Sequence, residues 1–219
     1  MPEDGKIVMV TSVLENEGKS TVVVNLALSM AQKHKRVLLM DCDMRKPACY
    51  KILGTSGTFG TMDALKGTVP LDEAVTEYPE NKSLHLLLES HSVRNSTKLV
   101  SSEAMAALIQ SVRGAYDYII LDTPPMSAGS DAEVLSDLAD GALLVIRQNQ
   151  ADASALRGAL EVLQGTRAKV LGCVLNDCRS SPITDQSSYG YGYGTYGHYG
   201  HYGKYGKYSA YGAAQRESR

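Results

Sequence analysis

Residues 8–30 read VMVTSVLENEGKSTVVVNLALSM, an apolar strand pattern that passes through a Gly-Lys-Ser turn into a helical pattern. Amides at the start of such a helix point at an anion, the lysine reaches terminal phosphate oxygens, and the serine hydroxyl can ligate Mg²⁺. The usual G-x-x-x-x-G-K-[ST] pattern has glycine where this chain has Val13. The stretch predicts a phosphate-binding loop, the alternative being an ordinary strand-to-helix turn. The loop residues assigned to nucleotide binding are Glu17, Gly18, Lys19, Ser20 and Thr21.

Short runs of β-branched and aliphatic residues recur along the chain and are typical of strands whose two faces are both covered. They span residues 6–11, 36–41, 84–89, 118–122, 142–147 and 169–175. Between them, apolar residues recur at i, i+3, i+4 and i+7 from Val23, Met105 and Leu156, as in amphipathic helices. The pattern predicts an α/β fold of the P-loop NTPase type, with a mostly parallel sheet and helices on both faces. Residues 54–82 are predicted to be a loop and a short helix.

Three aspartates follow two of the predicted strands. LLMDCDMRKP carries Asp41 and Asp43, and YIILDTPP carries Asp122. Ligands of such sheets bind at the carboxyl ends of the strands, and a carboxylate buried there needs a partner, which Mg²⁺ and Lys19 would supply. We expect Asp122 to serve Mg²⁺, and Asp41 and Asp43 to share metal orientation and acceptance of a proton. The alternative for Asp43 is a turn cap paired with Arg45.

The C-terminal stretch holds nine of the chain's 13 tyrosines, separated almost entirely by glycine. It buries too little apolar surface to offset the ordering entropy of so many glycines, so we predict a disordered string of solvated phenols. The predicted domains are therefore a folded unit over residues 1–182 and a flexible tail over residues 183–219. The tail tyrosines are Tyr189, Tyr191, Tyr193, Tyr196, Tyr199, Tyr202, Tyr205, Tyr208 and Tyr211.

Charge and composition limit the classes of partner. The net charge is -2, of which residues 189–219 carry +3, leaving -5 for the rest, so nucleic acid is not expected as a partner. The N-terminal stretch lacks a signal-peptide pattern, and no apolar run approaches the roughly 18 residues of a spanning helix, so a cytoplasmic location is predicted. The cysteines form no C-x-x-C pair and are predicted to be buried thiols: Cys42, Cys49, Cys173 and Cys178.

These motifs together resemble a known family. TSVLENEGKST, LLMDCDMRKP, YDYIILDTPP and the tyrosine-rich end resemble the bacterial tyrosine kinases (BY-kinases) of capsule and exopolysaccharide biosynthesis. The resemblance implies a protein-tyrosine autokinase that depends on ATP and Mg²⁺. It implies catalytic roles for Lys19, Asp41, Asp43 and Asp122, and Mg²⁺ ligation by Ser20, Asp41 and Asp122. It makes Tyr189 to Tyr211 the phosphoacceptors, with transfer between subunits.

The resemblance also implies partners. These are a membrane adaptor of the polysaccharide chain-length-regulator type, a cognate tyrosine phosphatase, and a transient homo-oligomer recruited to the inner face of the membrane. Each phosphate adds about -1.5 to -2 charges, so we expect a phosphorylated tail to leave an acidic surface and the assembly to come apart. The family carries an E-x-x-R-x-x-R helix before the first strand, and no such motif precedes Lys6 here. We expect either a piece of a longer kinase or a ring formed through other surfaces.

Departures from the family keep other interpretations open. Glu15-Asn16 replaces the usual Pro-Gly; asparagine tolerates a left-handed backbone, whereas Glu15 adds negative charge near the phosphates. A partitioning or division-site ATPase is one alternative, but that class carries a lysine where this chain has Leu14. A non-enzymatic scaffold with an adhesive Tyr-Gly tail is another. Asn176, after the last strand, is assigned to contact with the nucleotide base, with a simple turn former as the alternative.

Overall fold

The computed structural model describes residues 5–93 and 96–178; the tail tyrosines and the predicted boundary at residue 182 lie outside this part. The strands within it are β1 (Lys6–Ser12), β2 (Val37–Asp41), β3 (Thr76–Tyr78), β4 (Asn81–Leu87), β5 (Tyr118–Asp122), β6 (Gly141–Arg147) and β7 (Lys169–Asn176). The α-helices within it are α1 (Lys19–Gln32), α2 (Cys49–Leu53), α3 (Thr61–Lys66), α4 (Leu71–Ala74), α5 (Ser96–Val100), α6 (Glu103–Val112), α7 (Asp131–Ser136) and α8 (Ala153–Gln164).

The strands form one sheet in the order β3-β4-β2-β5-β1-β6-β7. Neighbouring strands are parallel except for β3 and β4, which pair antiparallel. The mostly parallel sheet predicted from the sequence is therefore confirmed. Asp41, the last residue of β2, lies opposite Asp122, the last residue of β5, and β1 is the next strand along. The register thus brings the two aspartates together at the carboxyl ends of the strands, where the loop after β1 also begins.

Helices cover both faces of this sheet. Side chains along β1 alternate, since Ile7 and Met9 belong to one core cluster and Val8 and Val10 to the other. α1 packs into the cluster on the Val8 side, whereas α6, α7 and α8 pack into the cluster on the Ile7 side. The three predicted amphipathic patterns all form helices, as expected. Among the described residues, no helix combines the length and apolar character needed to cross a membrane.

Two details differ from the prediction. Residues 54–82 contain α3, α4, β3 and the start of β4, because β3 is short and polar and gives no hydrophobic period. The burial predicted for all four cysteines is wrong for two of them: Cys42 and Cys49 are buried, but Cys173 and Cys178 are exposed. The reason is the sheet order, which places β7 at an edge and exposes the face that carries Cys173.

Candidate nucleotide-binding site

A cavity of about 420 Å³ lies at the carboxyl ends of β1, β2 and β5. It is lined by the loop residues 15–21, by Asp43, Arg45 and Lys46 after β2, and by Pro125 after β5. Parallel α/β sheets bind ligands at the carboxyl ends of their strands. The loop and the Asp43 segment, which are separate in the sequence, therefore meet around one space, and Ser20 and Thr21 both face it.

Two residues of the loop have a left-handed backbone conformation. Gly18, just before α1, has φ +86°, and a Cβ at this position would lie 2.0 Å from Asn176 Nδ2, so only glycine fits. Asn16 has φ +63°, the left-handed conformation that the sequence analysis expected asparagine to tolerate. The loop therefore forms without Pro-Gly and leaves the first amides of α1 free to face an anion.

Lys19 is the centre of a buried ionic cluster. Its Nζ donates to Asp122 Oδ1 at 2.7 Å and to Asp43 Oδ2 at 3.2 Å, and all three side chains are almost fully buried. Burial alone lowers the pKa of Lys19, but the charges of Asp122 and Asp43 outweigh it and hold that pKa above its ordinary value. The ammonium therefore stays charged, and it is poised beside the cavity.

Asp41 completes this cluster but lacks a partner for one oxygen. Its Oδ1 accepts from the Asp43 amide at 3.1 Å, whereas the buried Oδ2 has no hydrogen-bond partner among the described residues. Burial, and then the charge of Asp122, raise the pKa of Asp41 well above its ordinary value, although Lys19 acts against them. A buried carboxylate oxygen without a partner is costly, and oxygen is the ligand that Mg²⁺ prefers. The donor set of Asp41 and Asp122 therefore fits a magnesium ion.

Asp43 faces both the cavity and the loop after β2. Its Oδ1 accepts from the Lys46 amide at 3.1 Å, as in a turn cap, while its Oδ2 faces Lys19. The pairing with Arg45 considered in the sequence analysis is wrong, because Arg45 Nε donates to Asp131 Oδ2 at 3.0 Å. Asp43 therefore keeps a carboxylate oxygen directed to the lysine at the cavity wall.

Glu17 has a different role from the one its loop position suggested. The residue lines the cavity, yet it is only 1% exposed, and its carboxylate accepts from the Leu14 amide at 2.7 Å and from the Arg147 amide at 3.2 Å. Asn176 also contacts the loop, its Nδ2 donating to the Glu17 carbonyl at 2.9 Å. Both side chains thus brace the loop, and a base contact by Asn176 stays a prediction.

Further side chains hold the loop, and the sequence alone does not identify them. Arg147 donates from Nη1 to the Asn16 carbonyl at 3.3 Å. Gln150 Nε2 donates to the Glu15 carbonyl, and Lys46 Nζ lies 2.6 Å from Glu15 Oε2, so the charge of Glu15 has a partner. No local signal could have found these residues, because Arg147 and Gln150 lie more than a hundred positions from the loop.

Cys49 also reaches the ionic cluster from the start of α2. Its Sγ donates to Asp122 Oδ2 at 3.1 Å, and burial, then the charge of Asp122, raise the pKa of this thiol well above its ordinary value. The sequence alone predicts only a buried core position for this thiol. Asp122 is thus shared between Lys19 on one oxygen and Cys49 on the other.

Comparison with known proteins agrees with this geometry. A family profile described as "ParA: NUBPL iron-transfer P-loop NTPase" matches residues 5–195. The tyrosine-protein kinase YwqD of Bacillus subtilis is 37% identical over 190 residues, which cover 87% of this chain and 78% of YwqD. The chain belongs to the bacterial tyrosine kinases. Its P-loop NTPase fold is that of the ParA profile.

Solved structures and longer relatives extend this assignment. The kinase domain of the Escherichia coli tyrosine kinase ETK superposes on this BY-kinase with a TM-score of 0.76 at 26% identity, over 87% of this chain and 73% of that one. The succinoglycan biosynthesis transport protein ExoP of Rhizobium meliloti is 31% identical over 88% of this chain but only 26% of ExoP. The septum site-determining protein MinD of Pyrococcus horikoshii, complexed with Mg-ADP, shares the fold at a TM-score of 0.68 and 23% identity, over 78% of this chain and 70% of that one.

Proposed function

We propose that this BY-kinase transfers the γ-phosphoryl group of ATP to the tyrosines of its own C-terminal tail, in the service of capsular or exopolysaccharide synthesis and export. The observation that carries the proposal is the cluster of Lys19, Asp43 and Asp122 at the wall of a cavity formed by a phosphate-binding loop. A loop of this kind beside a strand-end carboxylate is what phosphoryl transfer requires.

Nucleotide binding rests on the loop and α1. Gly18, Lys19, Ser20 and Thr21 line the cavity, and the first amides of a helix are available to bind an anion. Lys19 Nζ contacts the carboxylates of Asp43 and Asp122. A triphosphate would draw the ammonium from these carboxylates onto the β- and γ-phosphate oxygens, where its charge stabilises the transition state.

Magnesium is proposed to bind through Ser20, Asp41 and Asp122. When bound, Mg²⁺ supplies positive charge to the phosphate oxygens. Asp41 supports this role, since its buried Oδ2 has no partner among the described residues, and Asp122 lies opposite it in the sheet. If a bound triphosphate drew Lys19 away from Asp122, that carboxylate would be available to hold the ion, either directly or through water.

Asp43 is proposed to accept the proton of the acceptor tyrosine. A phenol has a pKa of about 10 and is a poor nucleophile at neutral pH until a carboxylate orients or takes its proton. Asp43 lines the cavity, whereas Asp41 is fully buried behind it. In the transfer step the phenolic oxygen bonds to the γ-phosphorus, the bond to the bridging oxygen breaks, ADP leaves, and the proton passes to Asp43.

The acceptors are proposed to be the nine tail tyrosines, presented by a neighbouring subunit. We propose a catalytic domain over residues 1–182 and a tail over residues 183–219. A flexible segment of about 10–25 residues spans roughly 16–30 Å, which is enough to reach a second active site. Glycine at every second or third position lets the backbone approach the cavity closely.

The proposed partners follow from the longer relatives. This chain matches only 26% of ExoP, a transport protein of succinoglycan biosynthesis, so that relative carries a large additional portion. We propose that a separate membrane adaptor of the chain-length-regulator type takes its place and recruits this chain to the inner face of the membrane. A cognate phosphatase would reverse the modification, and repulsion between phosphorylated tails would loosen a transient homo-oligomer.

The test is labelling with γ-labelled ATP and Mg²⁺, with and without the adaptor's cytoplasmic segment, followed by peptide mass mapping. We expect phosphate on tail tyrosines of the full chain, none on Lys19→Met, and none on a variant with all nine tail tyrosines changed to phenylalanine. Hydrolysis of ATP without labelling would instead indicate an ATPase. If the protein does not bind ATP at millimolar concentration, the alternative of a non-enzymatic scaffold is the one that survives.

A further inference from the structure

The proposed kinase chemistry does not use Cys49, although this thiol lies inside the ionic cluster. One ligand atom each from Asp41, Cys49 and Asp122 lies within 4.8 Å of the other two, and all three residues are buried. Cys49 Sγ is 3.1 Å from Asp122 Oδ2, and Asp41 Oδ2 has no partner among the described residues. The group thus combines three ligand-type side chains with one buried carboxylate oxygen that is available to a ligand.

The donor atoms of the group favour a cation as its ligand. Asp43 and Asp122 contact the single ammonium of Lys19, and Asp41 lies opposite Asp122 in the sheet. A group of carboxylate and thiol donors is completed by a cation and not by an anion. The cavity provides the entry path, because Asp43, Lys19 and Ala48 line it and lie next to the buried group.

The thiol determines which divalent ion the group selects. Mg²⁺ takes oxygen ligands almost without exception, whereas Zn²⁺ and Co²⁺ bind thiolate together with carboxylate. Zn–S distances of about 2.3 Å and Zn–O distances of about 2.0–2.2 Å bring ligands to roughly 3.5 Å from one another. The contact between Cys49 and Asp122 is already this short. The ligand atoms of the three residues lie within 4.8 Å of one another, so an adjustment of the Asp41 side chain would bring its oxygen to ligand distance.

We infer that Asp41, Cys49 and Asp122 form a site for a thiophilic divalent cation, Zn²⁺ or a chemically similar ion, in the nucleotide-free protein. The ion binds the thiolate sulfur and one oxygen of each carboxylate, and the thiol proton is released to solvent. A water molecule would complete a tetrahedral shell. Because two of the ligands are the proposed Mg²⁺ ligands, the two ions cannot occupy the cluster together.

Co²⁺ is the probe, because a thiolate ligand gives it a charge-transfer absorption in the near ultraviolet that oxygen and nitrogen ligands do not give. The experiment uses the full chain without nucleotide, in a Cys173→Ser, Cys178→Ser background that removes the two exposed thiols. We expect a thiolate band that saturates at one Co²⁺ per chain and disappears when Zn²⁺ is added. Histidines of the tail can bind Co²⁺ but contribute nothing to this band.

Two further variants distinguish the site from general thiol binding. Cys42 is a matched control, because it is as buried as Cys49 and also lies close to Asp122. Its side chain, however, belongs to the core cluster on the other face of the sheet. Cys49→Ser should abolish the band, Cys42→Ser should retain it, and Asp41→Asn, which keeps every thiol, should weaken Co²⁺ binding at least about tenfold. Circular dichroism confirms that each variant is folded.

The inference is overturned if the background protein gives no thiolate band, or if the band survives in folded Cys49→Ser protein. It is also overturned if Asp41→Asn binds Co²⁺ as tightly as the background protein. The measurement needs no kinase activity, so its failure is distinguishable from failure of the proposed function.

Discussion

Two carboxylates beside the phosphate-binding loop are equally hidden from solvent and differ in their partners. Glu17 accepts from two backbone amides, those of Leu14 and Arg147. Asp41 accepts from one amide, and its Oδ2 has no hydrogen-bond partner among the described residues. Both residues are buried, but Glu17 completes the fold of the loop, whereas Asp41 has an oxygen available to a ligand. Substitutions should therefore separate the two regions by whether stability or activity changes.

The largest effect is expected where the ionic cluster meets the nucleotide. Lys19→Met removes the charge that is proposed to reach the γ-phosphate, and we expect autophosphorylation to fall by about 10²–10³-fold or more. Lys46→Met is the control, because Lys46 also lines the cavity but its side chain is 69% exposed and pairs with Glu15. Equal losses in the two variants, measured by initial rates with labelled ATP, would contradict the role given to Lys19.

Asp41→Asn should affect activity but not the fold. The substitution removes a buried carboxyl group whose Oδ2 has no hydrogen-bond partner among the described residues, so the melting temperature of the nucleotide-free protein should stay the same or rise. Autophosphorylation should fall by about 100-fold, because the proposed Mg²⁺ ligand is lost. Calorimetry and labelling of the same preparation measure both quantities. A clearly lower melting temperature would mean that Asp41 is a structural residue like Glu17.

Glu17→Gln should show the opposite behaviour. One of the two amides would face an NH₂ group in place of an oxygen, which costs about 1–3 kcal/mol of unfolding free energy for a buried group. For a chain of this size each kcal/mol lowers the melting temperature by about 2–4 °C. Glu15→Gln is the matched control, since its partly exposed pair with Lys46 is worth only about 0–1 kcal/mol. If both variants melt alike, Glu17 does not brace the loop.

The smallest expected effect concerns the loop backbone at Asn16. Because its φ is +63°, Asn16→Ala should cost about 1 kcal/mol, whereas Asn16→Gly should be tolerated. Asn25, exposed within α1, should give the reverse order, with glycine less stable than alanine by about 1 kcal/mol. Chemical denaturation of the four variants tests this. The same order at both positions would exclude the left-handed conformation at Asn16.

The two regions were also unequal in how far the sequence could predict them. The strands, the Gly18-Lys19 turn and the aspartates at 41, 43 and 122 are each signalled by a few adjacent residues, and a parallel sheet brings such signals to one edge. The direction of the Glu17 side chain is only partly local, because one of its two amide partners is Arg147 at the end of β6, 130 positions away. Loop position alone therefore suggested nucleotide binding for a residue whose carboxylate stabilises the loop.

Similar reasons explain the other differences. The thiols of Cys49 and Cys173 lie in or beside apolar sequence, yet one contacts Asp122 and the other is exposed. Only the sheet order, which puts β7 at an edge, distinguishes an exposed apolar strand from a buried one. Arg45 is close to Asp43 in sequence but pairs with Asp131, 86 positions away, because α7 begins near the carboxyl ends of the same strands.

The central claim is that the Lys19 cluster of one chain phosphorylates the tail of another. The most direct measurement mixes two variants that cannot label themselves, in the presence of Mg²⁺ and ATP. One is the Lys19→Met chain with an intact tail, and the other has the wild-type catalytic site but all nine tail tyrosines changed to phenylalanine. Mass mapping should find phosphate on tail tyrosines of the Lys19→Met chain only when the second protein is present. An absence of phosphate in the mixture, under conditions where the wild-type chain labels itself, would contradict the account.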